Sequence, residues 1–161
     1  MKHILDLTQE PQHIPALAAW HHAEWAHLNP GRSLRDRVES MQHYLDDGLV
    51  PSTFICKCDG QLAGSAAIVD CDMDTHPEWT PWLASVFVAP AFRRRGLGSE
   101  LVRYLMLRAQ NAGIENLYLF TPDRAAFYHK LGWRLLGEED YRTCRVNVMQ
   151  ICLRSHPVQE R

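Results

Sequence analysis

The chain has 161 residues, of which 46% are hydrophobic and 22% are charged, and its 17 basic and 19 acidic side chains give a formal net charge of −2. This length and composition are typical of one globular domain that builds its own core, so we predict a single domain over residues 1–161. Because the charge is nearly balanced, the chain does not attract nucleic acid through its overall charge, and we expect no nucleic-acid partner.

The N-terminal segment and the cysteines indicate the cellular compartment in which the protein is expected. "MKHILDLTQEPQHIP" lacks the apolar core of a signal peptide, and no stretch approaches the roughly 18 apolar residues of a membrane span. The five cysteines are an odd number at irregular spacing. Cys56 and Cys58 lie in a strand-like run, so both point to one face; they could be a metal pair, but half-buried thiols are favoured because no second pair follows. We therefore expect a cytoplasmic protein with no membrane partner and no metal.

The first half of the chain alternates from strand to helix and back to strands. "HILDL" predicts an opening strand, and "PQHIPALAAWHHAEWAHL" predicts a helix that the Pro-Gly pair at 30–31 ends. "SLRDRVESMQHYLDDG" predicts a second helix, with Ser33 as N-cap and Gly48 as its end. The runs "STFICKC" and "QLAGSAAIV" flank an Asp-Gly pair at 59–60, which is the strongest short signal for a hairpin.

The second half begins with a polar segment, "DCDMDTHPEWTP", and a strand of buried type, "WLASVFVAP". A helix with one apolar stripe follows and ends at Gly113. "NLYLF" predicts a strand, "DRAAFYHKLG" a short helix, and "WRLLG" and "RVNVMQICL" the closing strands. The order β-α-α-β-β-β-α-β-α-β-β indicates a mixed α/β (α+β) domain.

The turn "RRRGLG" between a strand and a helix is suited to an anionic ligand. Gly96 and Gly98 let a ligand approach the main chain closely, and the first N–H groups of the next helix have no internal partner. Together with the helix dipole and the charges of residues 93–95, these groups favour phosphate. The alternative is a solvated basic turn. A P-loop is excluded because no lysine follows the glycines, and a dinucleotide fingerprint would need a small residue where Leu101 stands.

The whole pattern V-x-V-x-P-x-x-R-x-x-G-x-G resembles the acyl-coenzyme A signature of the GNAT superfamily of N-acetyltransferases, whose core reads [QR]-x-x-G-x-[GA]. "AAFYHKLGW" resembles a second segment of that family, A-x-x-[FL]-Y-x-x-x-G-[FW]. The two motifs span residues 86–133. The resemblance implies a single-domain GNAT fold, with a central mixed, mostly antiparallel sheet of about seven strands and about four helices.

The resemblance also implies a reaction, the direct transfer of an acetyl group from acetyl-CoA to a primary amine in a ternary complex. The backbone of three strand residues would bind the pantetheine arm, and the amides of residues 94–99 would hold the pyrophosphate. The implied cofactor-binding residues are Val86, Phe87, Val88, Arg93, Arg94, Arg95, Gly96, Leu97, Gly98 and Ser99. Where the family often has an asparagine that touches the cofactor, this chain has Thr121, to which we assign no role.

Two catalytic roles follow from the chemistry. Tyr128, with an ordinary pKa of about 10, would donate a proton to the departing thiolate; the alternative is an aromatic core residue. A base must deprotonate an ammonium acceptor, and the polar segment before the cofactor strand offers several carboxylates. We favour Glu78, which is nearest the strand, and then His76, which titrates near neutrality; the alternative is a solvated loop. Because the segment is acidic, we expect cationic amines to be preferred.

The acceptor pocket implied by the family lies between the first two helices and the strand pair. Five residues could line it or instead pack in the core: Trp20, His21, His22, Glu24 and Trp25. We expect a small-molecule amine as acceptor. A protein N-terminal or lysine acetyltransferase and a non-catalytic acyl-CoA-binding module are the alternatives, and a homodimer stays open.

Overall fold

The computed structural model describes residues 1–45 and 48–154. Within them the strands are β1 (Lys2–Asp6), β2 (Ser52–Cys58), β3 (Gln61–Val69), β4 (Trp82–Val88), β5 (Asn116–Thr121), β6 (Arg134–Tyr141) and β7 (Cys144–Cys152). The α-helices are α1 (Ile14–Trp25), α2 (Leu34–His43), α3 (Leu97–Asn111) and α4 (Ala125–Lys130). The predicted order of elements is confirmed. No helix in the described part of the chain has the length and apolar character needed to cross a membrane.

The strands form one sheet in the order β1-β2-β3-β4-β5-β7-β6. All neighbours are antiparallel except β4 and β5, which are parallel and pair at a single register position, Trp82 with Tyr118. Beyond Trp82 the two strands separate. The middle of the sheet is therefore open on one side of this pair.

Local signals account for most of the elements. The β2–β3 hairpin turns at Asp59 (φ 50°) and Gly60 (φ 82°), and two successive positive φ values are what a two-residue hairpin turn requires. The Ser33 hydroxyl caps α2 by accepting from the Asp36 amide, and the Asp36 carboxylate accepts from the Ser33 amide. Both predictions are confirmed.

The predicted end of α2 at Gly48 is wrong. The helix ends at His43, where the Tyr44 amide donates to the Met41 carbonyl at 3.2 Å in a tight turn. Asp46 and Asp47, which the prediction placed in this helix, lie outside the described residues. The polar run before Gly48 offers no apolar stripe to extend the helix over the sheet.

Helices cover both faces of the sheet. Phe54 and Cys56 belong to the core beneath α3, whereas Ile55 belongs to the core beneath α1 and α2. This alternation follows from the period of two in a strand. Cys56 and Cys58 share one face, as predicted, and α3 covers that face. Both are free thiols and are buried, not half-buried.

Strand β4 is irregular next to the opening. Ser65 of β3 pairs with Phe87 and Ala67 pairs with Ala84, so two β4 residues, one of them Ser85, lie opposite a single residue of β3. This is a β-bulge, and Ser85 has a φ of 54°, which is unusual for a residue other than glycine. Gly64 permits the close approach of the two strands, because a Cβ there would lie 2.6 Å from the Phe87 carbonyl oxygen.

Candidate active site

A cavity of about 820 Å³ occupies the opening between β4 and β5. At one end it is lined by the turn before α3 and by α4. At the other end it is lined by α1, α2 and the turn between β6 and β7. The cavity thus extends from the glycine-containing turn before α3 to the side chains between α1 and α2.

The turn before α3 presents unpaired amides. The first helical hydrogen bond runs from the Glu100 amide to the Gly96 carbonyl, and no side chain caps this end of the helix. In the described part of the chain, the amide N–H groups of residues 94–99 have no hydrogen-bond partner. Gly96 has a φ of 78° and Arg94 a φ of 65°, so the chain turns sharply here. Unpaired N–H groups at the positive end of a helix dipole form a site for an anion.

The three arginines of this turn do not act alike. Arg93 and Arg94 line the cavity. The Arg93 Nε donates to the Val88 carbonyl oxygen at 2.8 Å, which ties the turn to the end of β4. Arg95 is not among the lining residues, and its guanidinium lies 5.5 Å from the centroid of the Phe92 ring. The structure therefore brings two of the three predicted arginine side chains to the site.

The other predicted cofactor residues line the cavity along β4 and the start of α3. They are Val86, Phe87, Val88, Gly96, Leu97, Gly98 and Ser99. Because β4 pairs with β5 only at Trp82, the later part of its β5-facing edge is free of strand pairing. A free strand edge can bind an extended ligand through main-chain hydrogen bonds.

Tyr128 of α4 is buried at the wall of the same cavity. Burial raises the pKa of its hydroxyl to about 12, against a smaller opposing effect of Arg124. The Thr121 hydroxyl accepts from the Arg124 amide at 3.0 Å and so holds the start of α4 beside the end of β5. Arg124 also lines the cavity, and sequence reasoning missed it because a single arginine at a helix start carries no signal.

The two predicted bases do not reach the cavity. His76 stacks on Trp79, with ring centroids 4.2 Å apart, and its Nε2 lies 2.9 Å from the Glu139 carboxylate. Its Nδ1 lies 3.2 Å from the Glu78 carboxylate. Burial lowers the pKa of His76, but the hydrogen bonds to these two carboxylates raise it overall. Glu78 and His76 thus form a cluster with Glu139, none of which is among the cavity-lining residues.

Asp72 is the carboxylate of the polar segment that lines the cavity. It is partly buried, and burial raises the pKa of its side chain to about 7, although the positive charge of Arg142 opposes the shift. The neighbouring carboxylates are engaged elsewhere: Asp70 accepts from the Thr80 hydroxyl at 2.9 Å, and Asp74 pairs with Arg142 at 3.2 Å. In the sequence Asp72 is one of several carboxylates of this segment, and nothing local shows which side chain of an irregular loop faces inward.

Three of the five predicted acceptor residues line the cavity: His21, Glu24 and Trp25. Trp20 packs on Phe87, with ring centroids 5.6 Å apart, and is not among the lining residues. His22 turns the other way and accepts a hydrogen bond from Arg37.

His21 connects the end of the cavity between α1 and α2 to the β4 bulge. Its Nε2 lies 2.8 Å from the Ser65 hydroxyl, which donates to the Ser85 carbonyl oxygen at 3.3 Å. Because that hydroxyl has one proton, the network assigns the donor proton to Nε2 of His21. Burial, and to a lesser extent the charge of Arg37, lower the pKa of His21 to about 4, so the ring is neutral at pH 7.

No group of three or more His, Cys, Asp or Glu side chains is placed to hold a metal ion in residues 1–45 and 48–154. The two thiols of the predicted strand pair, Cys56 and Cys58, are buried in the core beneath α3. Burial raises the pKa of Cys56 to about 12, and the neighbouring Cys58 adds to the shift. A protonated, buried thiol is a packing group.

The model of the acetyltransferase (GNAT) family matches residues 14–133. No curated protein sequence is significantly similar to the chain. Among solved structures, yncA from Salmonella typhimurium, assigned as an acetyltransferase and solved with its cofactor acetyl-CoA, is 19% identical with a TM-score of 0.69, over 99% of this chain and 98% of its own.

Two further structures have the same fold. Ribosomal-protein-alanine N-acetyltransferase from Brucella melitensis is 19% identical with a TM-score of 0.71, over 95% of this chain and 99% of its own. Aminoglycoside 6′-acetyltransferase type Ii is 19% identical with a TM-score of 0.71, over 100% of this chain and 99% of its own. Likeness at this identity establishes the fold, which is the one that the sequence motifs implied.

Proposed function

We propose that this chain, which belongs to the acetyltransferase (GNAT) family, transfers the acetyl group of acetyl-CoA directly to the primary amine of a small molecule. The observation that carries the proposal is the set of unpaired amides of residues 94–99, which lies beside the free edge of β4. One end of the cavity thus offers donors for a diphosphate, and the strand edge leads from there toward Tyr128 and Asp72.

The residues present fit coenzyme A. A diphosphate would accept from the amides of residues 94–99, with Arg94 adding a full positive charge. The pantetheine arm carries amide groups that can pair with Val86, Phe87 and Val88 as an added strand would. Arg93 would act mainly on the protein itself, because its Nε is already bonded to the Val88 carbonyl.

When bound, acetyl-CoA supplies a thioester carbonyl that a neutral amine can attack. In the transfer, the amine nitrogen would bond to the acetyl carbon and give up one proton, the carbon–sulfur bond would break, and the sulfur would take up one proton, so that coenzyme A would leave as the thiol. Asp72 replaces Glu78 and His76 as our proposed base, because it lines the cavity and has a pKa of about 7. A carboxyl group with this pKa is about half ionised at neutral pH and mostly ionised above it, and the ionised form can accept a proton from an ammonium group.

Tyr128 would serve the other side of the reaction. A hydroxyl with a pKa of about 12 stays protonated at every working pH and can donate to a developing thiolate. An alkyl thiol has a pKa of about 8.5 in water, well below that of Tyr128, so transfer of the tyrosine proton to the sulfur is unfavourable. The transfer becomes favourable only if burial raises the pKa of the thiol as well. We therefore assign Tyr128 chiefly the role of a hydrogen-bond donor that stabilises the leaving group.

The cytoplasm is our proposed location, since all five cysteines are free and disulfides are rare in reducing compartments. The small-molecule acceptor is supported by the second end of the cavity, where side chains of α1 and α2 close around a space continuous with the cofactor end.

A single charge at the start of α3 tests the diphosphate site. Ser99→Asp adds a carboxylate in the first turn of the helix, where it favours the helix but repels a diphosphate. We expect calorimetry to show acetyl-CoA binding weakened by about tenfold or more, while the neutral control Ser99→Asn stays close to the wild type. S-acetylpantetheine, which has no diphosphate, should bind both variants equally.

Thiol release from acetyl-CoA against a broad panel of amines then tests catalysis. Release that depends on the amine supports the transferase. Tight binding of acetyl-CoA without release for any small amine or for peptides with free N-termini or lysines would instead indicate a binding module. Wild-type affinity for acetyl-CoA in Ser99→Asp would remove the observation on which the proposal stands.

A further inference from the structure

Three arginines line the end of the cavity between α1 and α2. Arg32 precedes α2, Arg37 lies within it, and Arg142 lies in the turn between β6 and β7. Arg142 donates to the Asn29 side-chain oxygen at 2.7 Å and to the Asp74 carboxylate at 3.2 Å. Its charge is therefore balanced within the protein.

Arg37 has no such partner. Its Nε donates to His22 Nδ1 at 3.2 Å, whereas its Nη2 is buried and has no hydrogen-bond partner in the part of the chain that the structure describes. Burial lowers the pKa of Arg37, and the charge of Arg32 lowers it further, so the two guanidinium groups are close enough to repel. Arg32 itself donates to the Ser40 hydroxyl, which carries no charge.

Arg37 has no ion-pair partner among the described residues, whereas the Asp36 carboxylate attracts Arg32. Glu24 lines the same cavity, but it is exposed and forms no ion pair with the described chain. A buried donor without a partner is unfavourable, and more so when the group is charged. A carboxylate can accept two parallel N–H bonds from one guanidinium and cancels one charge. An anionic group on the acceptor would give Arg37 the partner that the described residues do not provide.

We infer that the acceptor is an amine that also carries a carboxylate, as a free amino acid does, and that Arg37, with Arg32 beside it, binds that carboxylate. This inference rests on the proposed function and deepens it. It replaces the expectation from sequence that cationic amines are preferred. That expectation relied on the acidic segment before β4. In that segment Asp74 and Glu78 are paired with other side chains and are not among the cavity-lining residues, and Asp72, which does line the cavity, is the proposed base.

Matched acceptors that differ only in the carboxylate test the inference. We would measure kcat/KM by thiol release for L-leucine against L-leucinamide and for L-phenylalanine against L-phenylalaninamide. The wild type should prefer each acid by about ten- to hundredfold, the range expected for hydrogen bonds to a charged group. The amine of the amide is the weaker base, so at neutral pH a larger fraction of it is in the neutral form that attacks the thioester. Amine basicity would therefore favour the amide, and it does not explain a preference for the acid.

Variants of one helix assign the preference to a side chain. Arg37→Gln should remove most of the preference for the acid, because kcat/KM should fall by a larger factor for the acid than for the amide. Arg35→Gln is the matched control, since Arg35 lies on the same helix, is 87% exposed and pairs with Glu39. Should Arg37→Gln fail to fold, Arg32→Gln should reduce the preference, and the wild-type comparison needs no variant.

The outcomes separate the two proposals. Equal kcat/KM for acid and amide in the wild type would overturn the inference and leave the transferase function intact. Binding of acetyl-CoA with no turnover of any acceptor would overturn both. A preference for 2-aminoethylphosphonate over β-alanine would show an anion site that is built for a phosphonate and would overturn the choice of a carboxylate.

Discussion

Asp72→Asn removes a proton acceptor from the cavity wall while keeping the size of the side chain. General-base catalysis contributes about 10²- to 10⁴-fold to a rate, so kcat/KM for the amine should fall by a factor in that range. The affinity for acetyl-CoA should not change, because the proposed diphosphate site, at residues 94–99, is at the other end of the cavity. Thiol release measures the first quantity and calorimetry the second.

The pH dependence makes this test specific. The wild-type kcat/KM should rise as the pH passes about 7, where Asp72 loses its proton, and then follow only the ionisation of the amine. The variant should lack the first step. Asp70→Asn is the control, because Asp70 is exposed, bonds to Thr80 and is not among the lining residues, so its pH profile should match the wild type.

The same substitution, which should lower activity, should raise the free energy of unfolding at neutral pH. A carboxyl whose pKa is higher in the folded state binds more protons when folded, so its contribution is favourable at low pH and is lost as the pH rises from 3.8 to about 7. The full difference corresponds to about 4 kcal/mol, which is an upper bound because Asp72 keeps some exposure. The free energy of unfolding of Asp72→Asn, relative to wild type, should therefore increase between pH 4 and pH 8. An unchanged pH–rate profile in the variant would refute the base, and an unchanged pH dependence of stability would refute the burial argument.

Three further substitutions test other parts of the site and fold. Tyr128→Phe should lower kcat by about 10²-fold in the thiol-release assay with little change in the KM for acetyl-CoA, and unchanged turnover would remove the hydroxyl from the mechanism. Gly64→Ala should lower the free energy of unfolding in urea by about 1–3 kcal/mol, because the new Cβ would lie 2.6 Å from the Phe87 carbonyl oxygen; wild-type stability would show that β3 and β4 can separate without penalty. Ser33→Ala removes the cap that accepts from the Asp36 amide and should lower that free energy by about 0.5–2 kcal/mol, whereas an unchanged midpoint would mean that water replaces the cap.

The elements of the fold could be predicted because local chemistry marks their ends. The Asp-Gly pair at 59–60 and Ser33 each satisfy a backbone requirement within a few residues of themselves. The pairing of β4 with β5 could not be derived in this way, since Trp82 and Tyr118 meet only after α3 has crossed the sheet. The separation of these strands beyond Trp82, which creates the cavity, has no local signal at all.

The site, like the fold, has parts that could be predicted from local sequence and parts that depend on distant residues. Backbone-driven parts, such as the turn at 94–99, follow from glycines and a helix start that are visible in the sequence. Side-chain choices depend on distant partners: His76 is withdrawn from the cavity by Glu139, which is 63 residues away. Arg37 likewise reads as an ordinary exposed position of α2, and only the packing of α1 against α2 shows that one of its nitrogens is buried.

Both ends of the cavity depend on the same irregularity in β4. If β4 continued regularly past Trp82, its free edge could pair with β5 along its whole length and would fill the space that the cavity occupies. The bulge at Ser85 prevents this, and its positive φ is unfavourable for serine, so neighbouring groups must hold it. The Ser65 hydroxyl does so by bonding to the Ser85 carbonyl, and His21 in turn bonds to that hydroxyl. His21, at the proposed acceptor end, therefore supports the strand that we propose to bind the cofactor, and a buried, neutral histidine stabilises the bulge through Ser65.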